Sequence, residues 1–211
     1  MQPDFWHNRW FTNQIGFHES AANPLLVKHI DKLKLPKDSR IFLPLCGKTL
    51  DIGWMVNQGY QVVGAELSKL AVDQLFKELG VAPAITCRGN IDHYHTNNID
   101  VLTGDIFDIT CDMIGKVDAI YDRAALVALP SEMRIRYTRH LVNVTNAAPQ
   151  LLICFEYDQT LVDGPPFSVD ADEVRRHYEN YYDLVQLDNI PEKLRQQFDA
   201  DEVVWLLQRN T

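Results

Sequence analysis

The sequence lacks the features that would tie a protein to a membrane or to an oxidising compartment. It has no apolar run approaching the roughly 18 residues of a membrane span, and its start, MQPDFWHNRW, has neither the basic region nor the apolar stretch of a signal peptide. Its four cysteines (Cys46, Cys87, Cys111 and Cys154) are widely separated and form no Cys-x-x-Cys pair. We therefore expect a cytoplasmic protein with reduced thiols.

Positive charge is also scarce. The chain carries 20 Lys and Arg against 29 Asp and Glu, a net charge of -9, whereas nucleic acids and anionic membranes bind clustered positive charge. The seven histidines, including His93 and His95, show no metal-ligand spacing supported by cysteines or carboxylates. We expect no nucleic-acid partner, no membrane partner, no bound metal and, as the default, a monomer.

The patterning predicts an α/β fold. With 211 residues, 46% hydrophobic, the chain can form a single domain over residues 1–211 with a substantial core. Apolar runs predict strands, and amphipathic segments capped by Asn23, Ser68 and Gly80 predict helices between them. Such alternation indicates a doubly wound, mainly parallel sheet, here of seven strands with an antiparallel C-terminal edge. The predicted strands lie at 40–45, 60–67, 99–109, 116–126, 149–158, 182–189 and 202–210.

The loop after the first strand is unusual for a nucleotide-binding sheet. Residues 43–53 read LPLCGKTLDIG, in which Gly47 is the one glycine of the turn and G-x-G-x-x-G is absent. This loop provides poorly for a pyrophosphate. Glu66 ends the second strand, where a carboxylate commonly accepts hydrogen bonds from ribose hydroxyls, so a nucleoside ligand is favoured. Alternatively, Glu66 is only a charge flanking the helix that begins at Ser68.

Two later loops carry polar residues at the same predicted sheet edge. Asp105 and Ile106 follow the third strand, where the isoleucine could lie against a flat base. Asp122 and Arg123 follow the fourth strand, and an arginine there can bind a ligand carboxylate through its planar fork. Arg123 could equally form a salt bridge with Asp105 or Asp122.

The first 17 residues are rich in aromatic side chains. Trp6 and Trp10 are four residues apart, which places them on one face of a helix. One interpretation is an amphipathic helix packed on the core. The other is an aromatic lid that closes over a cofactor and a flat substrate, with residues 1–35 forming the lid and the helix that follows.

Taken together, these motifs resemble the thiopurine S-methyltransferase family of bacterial type. The resemblance spans nearly the whole chain and rests on FWHNRWFTNQIGFH, IFLPLCGKTLDIGWMVNQGYQVVGAELS, DIFD, IYDRAALVALP and DGPPFSV. It implies the Rossmann-like class I methyltransferase fold, with S-adenosylmethionine as cofactor. Methyl transfer to the sulfur of aromatic or heterocyclic thiols such as thiopurines would be the activity, with selenium or tellurium compounds as further acceptors.

The resemblance also implies roles for individual residues. Trp10 and Leu45 would line the cofactor site, Glu66 would hold the ribose, and Arg123 would lie beside the methionine end or the substrate. Asp105 and Ile106 would surround the adenine, and Phe17 would belong to the substrate pocket. Arg195 matches an arginine linked to substrate in some members, although the alignment there is weak.

An aromatic thiol is already acidic, so we assign no committed general base; Asp122 or Arg123 could steer the thiol proton. Cys46, next to the cofactor loop, is expected to be structural rather than nucleophilic. Two rivals remain open. A dinucleotide-dependent oxidoreductase shares the fold plan but needs the missing glycine motif. A non-catalytic nucleotide-binding module is favoured only by the lack of a visible acid–base pair.

Overall fold

The computed structural model describes residues 3–210, so positions 1, 2 and 211 of the predicted domain lie outside the described residues. Nine strands form one sheet, in the order β3-β4-β5-β2-β1-β6-β7-β9-β8. The strands are β1 (Arg40–Leu43), β2 (Gln61–Glu66), β3 (Ala84–Arg88), β4 (Ile91–His95), β5 (Ile99–Thr103), β6 (Ala119–Arg123), β7 (Gln150–Glu156), β8 (Tyr182–Leu194) and β9 (Phe198–Arg209).

The five central strands, β5, β2, β1, β6 and β7, are parallel, as predicted. The antiparallel C-terminal edge is also confirmed, because β9 pairs antiparallel with both β7 and β8. The seven predicted strands are all present. The count of seven is nevertheless too low, because an antiparallel hairpin, β3 and β4, extends the other edge beyond β5.

The chain between residues 3 and 210 contains seven α-helices, six of which contribute to the apolar clusters on the faces of the sheet. The seven are α1 (Pro3–Phe11), α2 (Pro24–His29), α3 (Asp51–Asn57), α4 (Lys69–Leu79), α5 (Cys111–Ile114), α6 (Ser131–Thr145) and α7 (Ala171–Tyr178). Residues of α2, α3 and α4 share one buried apolar cluster with the sheet, and residues of α5, α6 and α7 share the other. The sheet is therefore doubly wound. No helix between residues 3 and 210 is long and apolar enough to cross a membrane.

Local sequence signals explain several of these boundaries. The Asn23 side chain accepts hydrogen bonds from the backbone of Leu25 and Leu26, which caps α2. Ser68 caps α4 in the same way, and Gly80 ends that helix in the left-handed conformation, at φ 68°. These caps start and stop the helices so that the strands between them end at one edge of the sheet.

The strand order reverses at β1, which has β2 on one side and β6 on the other. In open α/β sheets, ligands bind outside the carboxyl ends of the strands at such a switch point. Here, the carboxyl ends of β1, β2, β5 and β6 lie next to one another, and each strand has predicted site residues either at its end or in the loop that follows.

Candidate active site

A cleft lies at this carboxyl edge, with the N-terminal segment (residues 3–19) along one side. It encloses about 1140 Å³ of space when its open mouth is included. Seven of the residues singled out in the sequence line it together: Trp10, Phe17, Leu45, Glu66, Asp105, Ile106 and Arg123. The structure thus brings into one cavity residues that are up to 113 positions apart in the chain.

Glu66 lies at the floor of the cleft and is only 6% exposed. Its Oε2 accepts a hydrogen bond from the Gly47 N–H at 2.8 Å, and its Oε1 accepts one from the Ser68 N–H at 2.7 Å. Burial raises the pKa of this carboxyl to about 7, although the backbone N–H groups oppose the shift. Each oxygen keeps further lone pairs, so the carboxylate can still accept hydrogen bonds from a ligand.

The loop between β1 and α3 brings its backbone close to an aromatic side chain. Gly47 has a φ of +55°, and a Cβ atom at this position would lie 3.0 Å from the indole of Trp10. A larger residue would therefore both strain the backbone and displace the tryptophan. The one glycine of this turn serves to seat Trp10 against the loop.

Trp10 itself is almost fully buried, although it lies only eight residues into the described chain. Its ring meets that of Phe17 edge to face, with centroids 5.6 Å apart, and Phe17 meets Trp6 in the same manner at 6.1 Å. All three rings line the cleft. Helix α1 packs on the body of the protein and also borders the cavity, while its closing over a cofactor as a lid stays a prediction.

Arg123, at the end of β6, is paired with a residue that the sequence analysis did not select. Its Nη2 donates to Oε1 of Glu19, in the N-terminal segment, rather than to Asp105 or Asp122. Glu19 also accepts hydrogen bonds from the side chain of Asn23, at 3.2 and 3.3 Å. This ion pair ties the N-terminal segment to the end of β6.

The prediction that Asp122 protrudes beside Arg123 is wrong. Successive side chains of a strand point to opposite faces, and Asp122 points into the core, where it is fully buried. Its Oδ2 accepts from the Tyr137 hydroxyl at 2.7 Å and its Oδ1 from the Leu126 N–H at 3.1 Å. Burial raises the pKa of this carboxyl to about 6. Asp122 does not line the cleft and cannot reach a substrate thiol there.

Asp105 and Ile106 lie at the end of β5, where the chain makes a short 3-10 turn. The Asp105 carboxylate caps this turn by accepting from the Phe107 N–H at 3.0 Å. Ile106 is buried in the core and presents part of its surface to the cleft. Asp105 gives this wall of the cleft a polar side chain, which suits the edge of a planar base, and Ile106 gives it an apolar side chain, which suits the face of the base.

Two further residues were singled out in the sequence, of which Cys46 borders the cleft and Arg195 does not. Cys46 is buried with its Sγ near Gly64, and burial raises the pKa of its thiol well above the usual value, which agrees with a structural role. Arg195 lies in the turn between β8 and β9, where its Nη2 is 3.4 Å from the carbonyl oxygen of Pro165. It is not among the residues that line the cleft.

Among the cleft residues that the sequence analysis did not single out, four have titratable side chains: His18, Lys48, Asp51 and Tyr121. Lys48 pairs with Glu78 at 2.7 Å. The pKa of His18 is lowered, first by burial and then by the charge of Lys48. Tyr121 could have been found from strand alternation, because it is two residues before Arg123 and shares its face of the sheet.

Comparison with known proteins assigns a family. The family model for thiopurine S-methyltransferase matches residues 1–210. A thiopurine S-methyltransferase of Xanthobacter autotrophicus is 53% identical over 99% of this chain and 100% of its own, and one of Teredinibacter turnerae is 45% identical over 100% and 99%.

A solved structure agrees on the fold. The 1,6-didemethyltoxoflavin-N1-methyltransferase of Burkholderia thailandensis, with bound S-adenosylhomocysteine, superposes with a TM-score of 0.66 at 11% identity, covering 98% of this chain and 87% of that one. The predicted class I methyltransferase fold is therefore confirmed. Together, the family match and the two close relatives show that this chain belongs to the thiopurine S-methyltransferase family and is a methyltransferase dependent on S-adenosylmethionine.

Proposed function

We propose that this protein transfers a methyl group from S-adenosylmethionine to the sulfur of aromatic or heterocyclic thiols, thiopurines among them. One observation carries the proposal: a buried carboxylate, Glu66, shares a cleft with three aromatic rings of the N-terminal segment. A carboxylate acceptor suits a ribose, and the rings suit a flat apolar acceptor beside it.

The cleft residues fit the cofactor. The Glu66 carboxylate is fixed by two backbone N–H groups and retains lone pairs for the two ribose hydroxyls. Leu45 and Trp10 border this position, and Asp105 and Ile106 offer a polar group and an apolar surface for the adenine. When bound, S-adenosylmethionine supplies an electrophilic sulfonium methyl group.

The acceptor side of the cleft combines aromatic and basic residues. Phe17 and Trp6 provide apolar walls, while Lys48, which is paired with Glu78, provides N–H donors that can stabilise a thiolate. The lowered pKa of His18 keeps its imidazole neutral near pH 7. The contribution of these residues to the reaction is thus to bind and orient an acceptor that is already ionised, without a dedicated general base.

The same walls suit other soft, polarisable acceptors, so compounds of selenium and tellurium belong with thiols in the proposed range. A basic residue that stabilises a thiolate also stabilises a selenolate, and a selenol ionises more readily than a thiol. No feature of the cleft separates these acceptors. The preferred acceptor must therefore be identified by comparing the rates of methyl transfer to each compound.

Two measurements on the purified protein test the proposal. Calorimetry should detect binding of S-adenosylhomocysteine and no binding of NADPH; the reverse result would favour the oxidoreductase. Transfer of a labelled methyl group should then be followed to an aryl thiol, to an aliphatic thiol such as cysteine as the matched control, and to selenium and tellurium compounds. We expect the aryl thiol to be methylated faster than cysteine. Binding of the cofactor product with no transfer to any acceptor would favour the non-catalytic module.

A further inference from the structure

Two polar atoms in the wall of the cleft have no hydrogen-bond partner. Among residues 3–210, neither Asp51 Oδ2 nor Tyr121 Oη has a hydrogen bond of normal length and angle, although the two side chains lie close enough to interact weakly with each other, and both atoms are buried. The two residues are 1% and 2% exposed, and both line the cleft. A buried acceptor left without a partner costs roughly 1–3 kcal/mol, and more when it is charged. Such a cost is usual where a ligand supplies the missing partner.

The Asp51 carboxylate is held in a fixed orientation. It is the first residue of α3, and its Oδ1 accepts from the Asn23 N–H at 2.7 Å. Oδ2 is the atom left without a donor. The Tyr121 phenol comes from β6 and lies near this carboxylate, which raises the pKa of the phenol further after burial has raised it. The site is therefore assembled from the start of α3 and from β6, the strand that pairs with β1.

We propose that Asp51 and Tyr121 bind the α-ammonium group of the amino-acid portion of S-adenosylmethionine. The inference rests on the proposed function, since it names how the same cleft holds the donor. An ammonium group offers three N–H donors and a positive charge, which satisfy both the carboxylate and the phenol oxygen. A sulfonium offers no N–H donor, and a ligand carboxylate would be repelled by Asp51.

The placement of Arg123 supports this assignment. Arg123 is two residues after Tyr121 on the same strand, so the two side chains leave the same face about 6–7 Å apart along the strand. An α-amino acid carries its ammonium and carboxylate groups on one carbon. Asp51 and Tyr121 on one side and Arg123 on the other can therefore hold the two charges of the zwitterion together.

Three probes separate the ammonium contact from the rest of the ligand. S-adenosylhomocysteine carries the whole amino acid, 5′-methylthioadenosine carries none of it, and the deaminated analogue, 5′-S-(3-carboxypropyl)-5′-thioadenosine, keeps only the carboxylate. Calorimetry with Asp51→Asn should show S-adenosylhomocysteine bound about 10- to 100-fold more weakly, as for loss of a charged hydrogen bond. Methylthioadenosine should bind as to the wild type, and the deaminated analogue equally or more tightly.

Tyr121→Phe is the second variant, because it deletes only the phenol oxygen and leaves the carboxylate and its bond to Asn23 in place. We expect it to weaken S-adenosylhomocysteine about 3- to 10-fold, in keeping with a neutral hydrogen bond, without changing methylthioadenosine. Glu66→Gln is the positive control, since a ribose contact should weaken both nucleosides equally.

Several outcomes would overturn the inference. If Asp51→Asn and Tyr121→Phe weaken both nucleosides alike, the pair is structural; if they weaken neither, the ammonium binds elsewhere. If thermal unfolding shows that Asp51→Asn does not fold, the test rests on Tyr121→Phe. An unchanged affinity of that variant for S-adenosylhomocysteine would by itself overturn the inference. Failure of the wild type to bind either nucleoside would refute the proposed function itself, which is a distinct result.

Discussion

Replacing Gly47 by Ala should disturb both stability and cofactor binding, for two separable reasons. The first is backbone strain, because Gly47 has a φ of +55°, and a non-glycine residue there costs about 1–2 kcal/mol. The second is contact, because the new Cβ would lie 3.0 Å from one carbon of the Trp10 indole and 3.3 Å from another. Forcing a buried ring aside costs typically about 1–3 kcal/mol. We expect a loss of roughly 2–5 kcal/mol in unfolding free energy from these two contributions.

Gly80→Ala is the matched control. Gly80 has a similar φ, +68°, but a Cβ there would meet no atom within 4 Å. It should lose only the backbone contribution, about 1–2 kcal/mol in denaturant unfolding, and keep its affinity for S-adenosylhomocysteine. Gly47→Ala should lose more stability and also bind the nucleoside more weakly, because Trp10 lines the cleft. Equal stability losses in the two variants, with unchanged affinity in both, would refute the close seating of Trp10 on this loop.

Two further predictions concern the carboxyl groups of Glu66 and Glu19. Burial raises the pKa of Glu66 to about 7, so below that pH the carboxyl is protonated and is a poorer acceptor for ribose hydroxyls. The affinity for S-adenosylhomocysteine should therefore fall as pH drops from 8 to 6, on the order of tenfold per pH unit below the midpoint. Calorimetry should show a flatter dependence of affinity on pH in Glu66→Gln. Glu19→Gln should speed release of the nucleoside a few-fold in stopped-flow tryptophan fluorescence, because it breaks the ion pair with Arg123. Glu78→Gln is the matched control: it breaks the ion pair with Lys48, its carboxylate is also 37% exposed, and it should leave the release rate unchanged. An identical pH profile in Glu66→Gln, or equal release rates in Glu19→Gln and the wild type, would contradict the respective assignment.

Most of the sheet could be predicted because its strands are strongly apolar and separated by capped helices. The β3–β4 hairpin escaped for the opposite reason. Every residue of β3 is exposed, and β4 contains Asp92, His93 and His95, so neither strand carries an apolar run. Backbone pairing with β5 determines their conformation, and that pairing is long-range in the chain. Single-sequence patterning has no access to such a contact.

The residues of the site also divide into those that the sequence could predict and those that it could not. Glu66 and Arg123 could be predicted because each ends a recognisable strand, and the ends of parallel strands meet. Asp122 was placed wrongly because the prediction treated two consecutive residues as sharing one edge, whereas strand geometry sends them to opposite faces. Glu19 and Asp51 had no signal of this kind. Their positions depend on how the N-terminal segment and α3 pack, which is set by tertiary contacts.

Two residues that line the cleft have strained backbone conformations. Leu45 lies two residues after the end of β1, Ala124 directly follows β6, and both adopt left-handed conformations, at φ 48° and 58°. For residues with a side chain this conformation costs about 1 kcal/mol or more, and glycine would remove the cost. The chain nevertheless carries a leucine and an alanine there, and both line the cleft. The strain is therefore retained where a side chain borders the ligand, while glycine is used at position 47, where Trp10 leaves no room for a Cβ. The loop is poor in glycine because its side chains, more than its backbone, form the wall of the site.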